Sequence, residues 1–361
     1  MNVAFDTDWP ADSIEFCPNR NIFACGTYKL DEAPAPSQHD SPQKQHRRGK
    51  CILYEFSSDG DGAINKLQET PLPAVLDMKW CFRTPEAPPL LGVADSEGHI
   101  TLHQWSDQDR QLEQIQSISC ASSDTLCLSL DWSNRRAPTN DLASMIVSQS
   151  DGTLCLLKPQ DRTGLTITNT WAAHDFEPWI AAWNYWDTNI IYSGGDDLKL
   201  KGWDIRQGFD QPAFINKRFD AGITTIQSNP HIEHVLAVGS YDDTIRIFDT
   251  RKMLAPLMQA DVGGGAWRVK WHPSATRSAD LLVACMHDGF KVVRFNLDGL
   301  LPDHEKSAGG ARGWEWEIAT RFDAHTSLAY GVDWSHAEEA GAETMVASCS
   351  FYDHTMRVWK A

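Results

Sequence analysis

The sequence predicts an all-β fold, a seven-bladed β-propeller of the WD-repeat type, from three observations. In several copies an acidic residue stands six positions before an aromatic residue that closes a strand, as Asp197 does before Trp203. A short strand ending at an aromatic residue or a Pro-marked turn precedes each copy. The copies recur at a spacing near the roughly 40–45 residues of a four-stranded blade.

The recurring acidic residue marks one turn in each of six blades. These residues are Glu97, Asp151, Asp197, Asp242, Asp288 and Asp353. They lie 54, 46, 45, 46 and 65 residues apart. The three middle intervals match the length of a blade, and we expect loop insertions in the two longer ones.

Seven segments with alternating side chains are typical of the first strand of a blade. They are residues 12–18, 76–80, 128–133, 180–184, 224–230, 267–273 and 330–335. The last blade ends at Trp359 with three strands, and we expect residues 2–6 to supply its fourth strand and close the ring. Residues 1–361 are therefore predicted to form a single propeller domain.

Residues 31–50 interrupt the first blade with a segment rich in Pro, Ser and Gln. Such a composition buries too little apolar surface to become ordered, so we predict a disordered loop insertion. Its basic run "KQHRR" could contact an acidic partner, although a solvated loop is the favoured interpretation. We predict shorter insertions at 133–141, 298–313 and 336–343.

The charge balance limits the classes of partner. The 361 residues include 49 Asp and Glu against 32 Lys and Arg, a formal net charge of −17, which argues against nucleic acid and against an anionic membrane surface. We find no secretory signal and no apolar run of the roughly 20 residues that a membrane span needs. We therefore expect a cytoplasmic protein whose nine cysteines are reduced.

Some of the recurring residues have structural roles in the predicted fold. The acidic turn residue of a WD-type blade is buried and needs hydrogen-bond partners, among them a His in the loop that leads into the blade. Ala-His pairs at 173–174 and 324–325 supply such a His to blades four and seven. We assign structural roles to His174, Asp197, Trp203, Asp242, His325, Asp353 and Trp359.

Polar and aromatic residues outside this frame are predicted to gather at one end of the channel, where propellers position function. On blades four to seven they are Asp175, Glu177, Trp179, Asp196, Tyr241, Gly263, Gly264, Gly265, Trp267, Arg268, His287, Tyr330 and Tyr352. Each group has a structural alternative: the glycines could form a flexible turn, the tryptophans could pack between blades, and His287 could be a surface residue.

Stronger catalytic signatures are absent from the sequence. It contains no serine-elbow, zinc-protease, phosphate-loop or dinucleotide-binding motif. The two histidines of "HIEHV" at 231–235 are predicted on the opposite face, so we expect no metal site there. The pattern alone therefore indicates a WD-type binding platform, with no metal and no cofactor.

Six strings together carry a resemblance to a known family. "AHDFEPWIAAW", "YSGGDDLKLKGWDIR", "GSYDDTIRIFDTR", "GGGAWRVKWHP", "ACMHDGFKV" and "CSFYDH", in this order, resemble the diphthine methyl esterase family, the WD-repeat protein of the diphthamide pathway. The resemblance is dense over 172–295 and 325–359 and thin over 1–170. One departure is "FDAGIT" before blade five, where family members often carry a His, so no role for that His is transferred.

The resemblance implies a hydrolase. Family members remove the methyl ester from methylated diphthine on a histidine of translation elongation factor 2, which frees a carboxylate for amidation to diphthamide. Elongation factor 2 is then the expected protein substrate, and the amidation enzyme is a second candidate partner. Ester hydrolysis needs a nucleophile or activated water, a base, and donors for the tetrahedral oxyanion.

Our hypothesis from the sequence assigns these roles to the predicted cluster. His287 is the general base, oriented by Asp175, Glu177 or Asp196, and the backbone of residues 263–265, including Gly264 and Gly265, supplies oxyanion donors. The substrate and its quaternary ammonium are bound by Trp179, Trp267, Arg268, Tyr241, Tyr330 and Tyr352.

Three alternatives to this hypothesis stay open at the level of sequence. A covalent route through Cys285 is less favoured because a second-strand cysteine is expected to be buried. A metal-activated water comes third, since no ligand spacing supports it. A non-catalytic scaffold for the amidation machinery is the alternative from a different class of function.

Overall fold

A computed structural model describes residues 2–31, 45–57, 63–160, 164–297, 315–337 and 343–361. These residues form seven antiparallel sheets. The innermost strand of each sheet contacts the innermost strands of the two neighbouring sheets, and the seventh contacts the first. The predicted seven-bladed propeller is thus confirmed.

The chain begins with β1 (Asn2–Asp6). Blade one contains β2 (Ala11–Phe16), β3 (Ile22–Thr27), the short β4 (Lys29–Leu30), β5 (Arg47–Phe56) and β6 (Ile64–Pro73). Blade two contains β7 (Val75–Cys81), β8 (Leu90–Asp95), β9 (His99–Ser106) and β10 (Gln111–Ser119). Blade three contains β11 (Cys127–Trp132), β12 (Met145–Gln149), β13 (Thr153–Pro159) and β14 (Leu165–Ala172).

Blade four contains β15 (Ile180–Trp183), β16 (Ile190–Gly194), β17 (Leu200–Asp204) and β18 (Phe214–Asn216). Blade five contains β19 (Ile223–Ser228), β20 (Val235–Ser240), β21 (Thr244–Asp249) and β22 (Met258–Asp261). Blade six contains β23 (Arg268–Trp271), a 3-10 helix (Ala275–Arg277), β24 (Asp280–Ala284), β25 (Phe290–Phe295) and β26 (Trp316–Phe322). Blade seven contains β27 (Ala329–Trp334), β28 (Met345–Ser350) and β29 (Thr355–Lys360).

The two ends of the chain meet in blade seven. Strand β1 pairs antiparallel with β29, with Asn2 opposite Trp359 and Asp6 opposite Thr355. Blade seven therefore has four strands, the outermost of which comes from the start of the chain. This pairing covers the edge of β29, which would otherwise be open to another chain.

The seven segments predicted as first strands overlap the innermost strands β2, β7, β11, β15, β19, β23 and β27, to within one residue at the start of each strand. These strands are buried on both faces, since neighbouring blades pack on each side. Tryptophans at their ends join the blades. The indole N–H groups of Trp80, Trp132, Trp183, Trp271 and Trp334 donate to backbone carbonyls of the preceding blade at 2.8–3.2 Å. The high tryptophan content therefore serves packing between the blades.

The predicted insertion at 31–50 ends earlier than expected. Residues 47–50 belong to β5, where the Lys50 N–H donates to Thr27 Oγ1 at 2.9 Å and Gly49 lies opposite Leu72 of β6. Strands on both sides give this backbone its hydrogen-bond partners, so it continues the sheet. Residues 32–44, and most of the insertions predicted at 298–313 and 336–343, lie outside the described residues.

Within the described ranges, no helix has the length and apolar character that a membrane crossing needs. In the same ranges, no group of three or more His, Cys, Asp and Glu side chains is arranged to hold a metal ion.

Candidate functional site

Each blade places one side chain at the same end of the axial channel. In blades one, two, three, five and seven, a β-bulge interrupts the first strand pair near its start, and the bulged residue is left unpaired. Bulges of this kind re-aim a side chain. In blades four and six, the corresponding residue immediately precedes the strand. The seven residues, here called the mouth ring, are Asp12, Leu76, Leu128, Trp179, Thr224, Trp267 and Tyr330.

All seven residues of the mouth ring line one cavity of about 930 Å³. Trp267 is the centre of its aromatic side: its ring centroid is 4.8 Å from that of Tyr330, 5.8 Å from Trp179 and 6.0 Å from Tyr241. Leucines from blades two and three line another part of the wall. The cavity therefore has an aromatic arc and an aliphatic arc.

The structure brings the predicted substrate-binding side chains together. Those that line the cavity are Trp179, Trp267, Arg268, Tyr241, Tyr330 and Tyr352. Burial raises the pKa of the Tyr241 and Tyr330 phenols, so both stay protonated at neutral pH. Tyr352 differs from the others because it is 70% exposed, and it lies at the rim of the cavity.

Asp12 is the carboxylic acid among the seven residues of the mouth ring, and sequence reasoning missed it. Its exposed fraction is 6%. Burial raises the pKa of Asp12 to about 8, the positive charge of Arg268 acts against that rise, and the negative charge of Asp77 adds to it. The guanidinium of Arg268 lies 3.5 Å from Asp77. Aligning the seven first strands would have placed Asp12 in register with Trp179 and Trp267.

The predicted carboxylates have separate environments. Glu177 lines the cavity. Asp196 lies next to Tyr241 and over Gly222, where a Cβ would collide with its carboxylate, and its own N–H donates to the Glu177 carbonyl at 3.0 Å. Burial raises the pKa of Asp196. Asp175 is exposed and forms an ion pair with Lys199, so it is not part of the cavity wall.

His287 is not where the sequence hypothesis requires it. It is exposed and lines a separate open groove of about 670 Å³ on blades six and seven, which meets the aromatic cavity at Tyr352. Among the described residues, its ring has no hydrogen bond to Asp175, Glu177 or Asp196. The expected His–carboxylate pair is therefore not formed.

The turn of blade six contains His287 together with Cys285 and Asp288. The Asp288 N–H donates to the Cys285 carbonyl at 2.6 Å, and the Asp288 carboxylate bonds Lys291 and Arg321. These contacts hold the Asp288 side chain against β25 and β26, while His287, the residue before it, is exposed to solvent. Cys285 is fully buried, and burial raises the pKa of its thiol to about 12, which disfavours a thiolate nucleophile.

The glycine run was predicted to supply oxyanion donors. Gly263 has φ 78°, and Gly264 and Gly265 are buried against Cys285, Met286 and Tyr241. Neither Gly264 nor Gly265 is part of the cavity wall, which at this point consists of Tyr241 and Trp267. Gly264 instead allows the backbone to pass close to the turn of blade six, where a Cβ would collide with the Cys285 carbonyl oxygen, and Gly265 packs tightly against Tyr241 and Met286.

The structural network predicted for blade four is present, with one additional member. His174 Nδ1 and Asp197 Oδ1 share a hydrogen bond of 2.8 Å, and His174 Nε2 lies 2.7 Å from Ser193 Oγ. The Trp203 indole N–H donates to the same Ser193 oxygen at 2.9 Å. His174 therefore reaches Trp203 through a serine that the sequence reasoning did not identify.

Blade seven forms a variant of this network. His325 Nε2 lies 2.8 Å from Ser348 Oγ, which accepts the Trp359 indole N–H at 3.0 Å. Its Nδ1 lies 2.5 Å from Ser350 Oγ, and Ser350 connects to Asp353. The aspartate therefore keeps its role in the turn, but a serine stands between it and the histidine.

Blade five, where the sequence lacks the His, uses an arginine. The Arg246 guanidinium bonds Asp242 Oδ2 at 2.8 Å and the Arg218 carbonyl at 2.5 Å, and it lies 4.2 Å from the centre of the Phe219 ring. Its side chain is nearly buried. Asp242 thus has a structural role without a histidine, because a cation from the third strand compensates its charge.

Comparisons with known proteins decide the family. A mouse protein named diphthine methyltransferase is 39% identical over 341 residues, which cover 92% of this chain and 69% of the mouse protein. A Dictyostelium discoideum protein named diphthine methyltransferase homolog is 34% identical over 384 residues, covering 98% of this chain and 96% of that one. This chain belongs to the diphthine methyltransferase family. The resemblance inferred from the six strings is confirmed, although no protein-family model matches the chain.

A solved structure supports the fold of this family member independently. A chain in a crystal structure of the mitotic checkpoint complex superposes with a TM-score of 0.69, covering 99% of this chain and 91% of that chain. Their sequences are 14% identical, so the similarity concerns the propeller alone.

Proposed function

We propose that this protein hydrolyses the methyl ester of methylated diphthine on elongation factor 2, which yields diphthine and methanol. Relatives over nearly the whole chain are named for methyl transfer and diphthine. In hydrolysis, water takes the place of the methoxy group on the carbonyl carbon, and the methyl group leaves as methanol. The observation that carries the proposal is the aromatic cavity at the mouth of the channel, with Asp12 and Arg268 in its wall.

The cavity suits both ends of the proposed substrate side chain. Methylated diphthine combines a quaternary ammonium with a methyl ester, and aromatic faces attract such cations. The faces of Trp179, Trp267 and Tyr241 lie side by side in one arc. The net charge of −17 would also favour the approach of a cationic side chain.

Donors near the ammonium site suit the ester. Arg268 carries a permanent positive charge in the cavity wall, and the phenols of Tyr241 and Tyr330 remain protonated. Such groups stabilise the negative charge that develops on the carbonyl oxygen during attack by water. We assign to them the role that the sequence hypothesis gave to the backbone of Gly264 and Gly265.

The direct test is a methyl-loss assay. Purified protein is incubated with elongation factor 2 that carries methylated diphthine, without any methyl donor, and the modified peptide is followed by mass spectrometry. We expect loss of one methylene mass and release of methanol above the buffer control. A methyl-ester mass that stays constant in the presence of active protein would refute the hydrolase.

The same assay separates the competing classes of function. A non-catalytic scaffold would leave the ester intact yet bind elongation factor 2 or the amidation enzyme in a pull-down. A methyl-adding enzyme would instead convert diphthine, whose carboxylate is free, into the methyl ester when S-adenosylmethionine is supplied. We propose elongation factor 2 as substrate, the amidation enzyme as a second partner that uses the product, and the cytoplasm as the location.

A further inference from the structure

Asp12 is unlike the other carboxylates in the wall of the aromatic cavity. Asp8, at the rim, has a side chain that is 66% exposed and lies 3.2 Å from Lys50. Glu177 is only half-buried. Asp12 is 6% exposed, and none of the described residues donates a hydrogen bond to its carboxylate. A buried carboxylate without a donor is unusual and calls for a functional explanation.

The position of Asp12 is set by the fold. It is the bulged residue of β2, left unpaired between Ala11 and Ser13, so the backbone aims it at the channel mouth. Blade one adjoins blade seven, which puts Asp12 beside Tyr330 at one end of the aromatic arc. A substrate whose ammonium lies on that arc would bring its ester within reach of Asp12.

We propose that Asp12 is the general base that activates the attacking water in this cavity. This inference rests on the proposed ester hydrolysis and names the residue that performs its first step. Arg268, which shares the cavity wall, lies 3.5 Å from Asp77, and its positive charge also stabilises the ionised form of Asp12.

The chemical steps balance without a cofactor. The Asp12 carboxylate takes a proton from water as the water oxygen bonds to the ester carbonyl carbon, and the carbonyl oxygen becomes an oxyanion near Arg268. The oxyanion collapses, the bond to the methoxy oxygen breaks, and Asp12 returns its proton to the leaving methoxide. Methanol and a carboxylic acid result, and the acid ionises and releases its proton to solvent.

Substrate binding provides the ionised base. The pKa of Asp12 is raised to about 8 by burial, so the free protein holds it mainly protonated at neutral pH. A quaternary ammonium bound nearby favours the carboxylate form. The pH dependence of kcat/KM, which reports the free protein, should therefore rise up to about pH 8, whereas that of kcat should level off at lower pH.

The test compares Asp12→Asn with the wild-type protein on methylated elongation factor 2. We expect kcat to fall by roughly 100-fold or more, and the residual rate to lose the rise with pH. Binding of tetramethylammonium, followed by tryptophan fluorescence, should change by less than about 10-fold because the aromatic faces remain. Asp220→Asn is the matched control, since it removes a carboxylate that is 91% exposed and does not line the cavity, and it should retain the wild-type rate.

The outcomes are distinguishable. If Asp12→Asn keeps the wild-type kcat and only raises KM, Asp12 is a counter-charge for the ammonium and the inference is wrong. If it keeps both values and His287→Ala loses activity, the base is His287. If the wild-type protein itself releases no methanol, the proposed hydrolysis fails and the role of Asp12 fails with it.

Discussion

Two rings of side chains line the channel, three residues apart on the same innermost strands. They differ in the hydrogen bonds and ion pairs that their buried charged side chains form. The mouth ring contains Asp12, which accepts no hydrogen bond from the described residues. The inner ring consists of Glu15, Lys79, Asp131, Ala182, Gln227, Lys270 and Asp333. There Lys270 bonds Glu15 and lies 3.6 Å from Asp333, which in turn accepts the Phe16 N–H at 2.8 Å.

The difference separates structural from functional charge. In the inner ring, ion pairs connect blades one, six and seven, and carboxylates accept backbone N–H groups of the next blade, as Asp131 does from Trp183 at 2.9 Å. Each ionisable group of the inner ring is bonded to another group of the protein, although Oδ1 of Asp131 has no hydrogen-bond partner among the described residues. The Asp12 carboxylate can still accept hydrogen bonds from a ligand, and it faces a cavity large enough for a substrate side chain. Burial alone therefore does not mark the site, whereas burial of a carboxylate that accepts no hydrogen bond at either oxygen does.

The largest expected effect concerns the inner ring. Lys270→Met leaves Glu15 and Asp333 buried without their cation, so the free energy of unfolding should fall by roughly 3–5 kcal/mol. Denaturant unfolding measures this loss. Lys66→Met is the control, because Lys66 pairs with Glu69 at the surface, and it should cost about 1 kcal/mol or less. Equal losses in both variants would contradict the structural role of the inner ring.

A smaller change in the free energy of unfolding is expected for a substitution in the mouth ring, and there the variant is more stable than the wild type. The folded protein binds the Asp12 proton up to about pH 8, whereas the unfolded chain releases it near pH 4, so this group lowers stability as pH rises between the two. Asp12→Asn removes that loss. Its stability advantage over wild type should grow by about 1 kcal/mol per pH unit between about pH 5 and about pH 7. A constant difference across that range would show that Asp12 is ionised throughout.

The smallest effect distinguishes the two arcs of the mouth ring. Trp267→Leu removes the central aromatic face, so tetramethylammonium should bind about 10-fold more weakly in calorimetric titrations. Leu128→Met alters the aliphatic arc, which has no aromatic face to lose, and should leave the affinity unchanged. Equal weakening in both variants would indicate that cavity shape, and not the aromatic surface, selects the cation.

The repeat was sufficient to predict the aromatic arc but not the base. Trp179, Trp267 and Tyr330 stand at the start of predicted first strands, and their side chains are large enough to be noticed there. Asp12 occupies the same position in blade one, where the sequence otherwise offers few polar residues. His287 precedes a turn aspartate just as Tyr241 does, yet it is exposed and lines the neighbouring groove instead of the cavity.

By itself, the sequence determined the propeller, the number of blades and the residue at the head of each innermost strand, because strand periodicity and turn chemistry are local properties. Tertiary structure decided that the Asp12 carboxylate is buried without a hydrogen-bond donor among the described residues. Asp12 and Arg268 are 256 positions apart in the chain and face one cavity because blades one and six are brought around the same axis. Burial, the nearest charge and the resulting pKa depend on such distant neighbours, and no local pattern contains them.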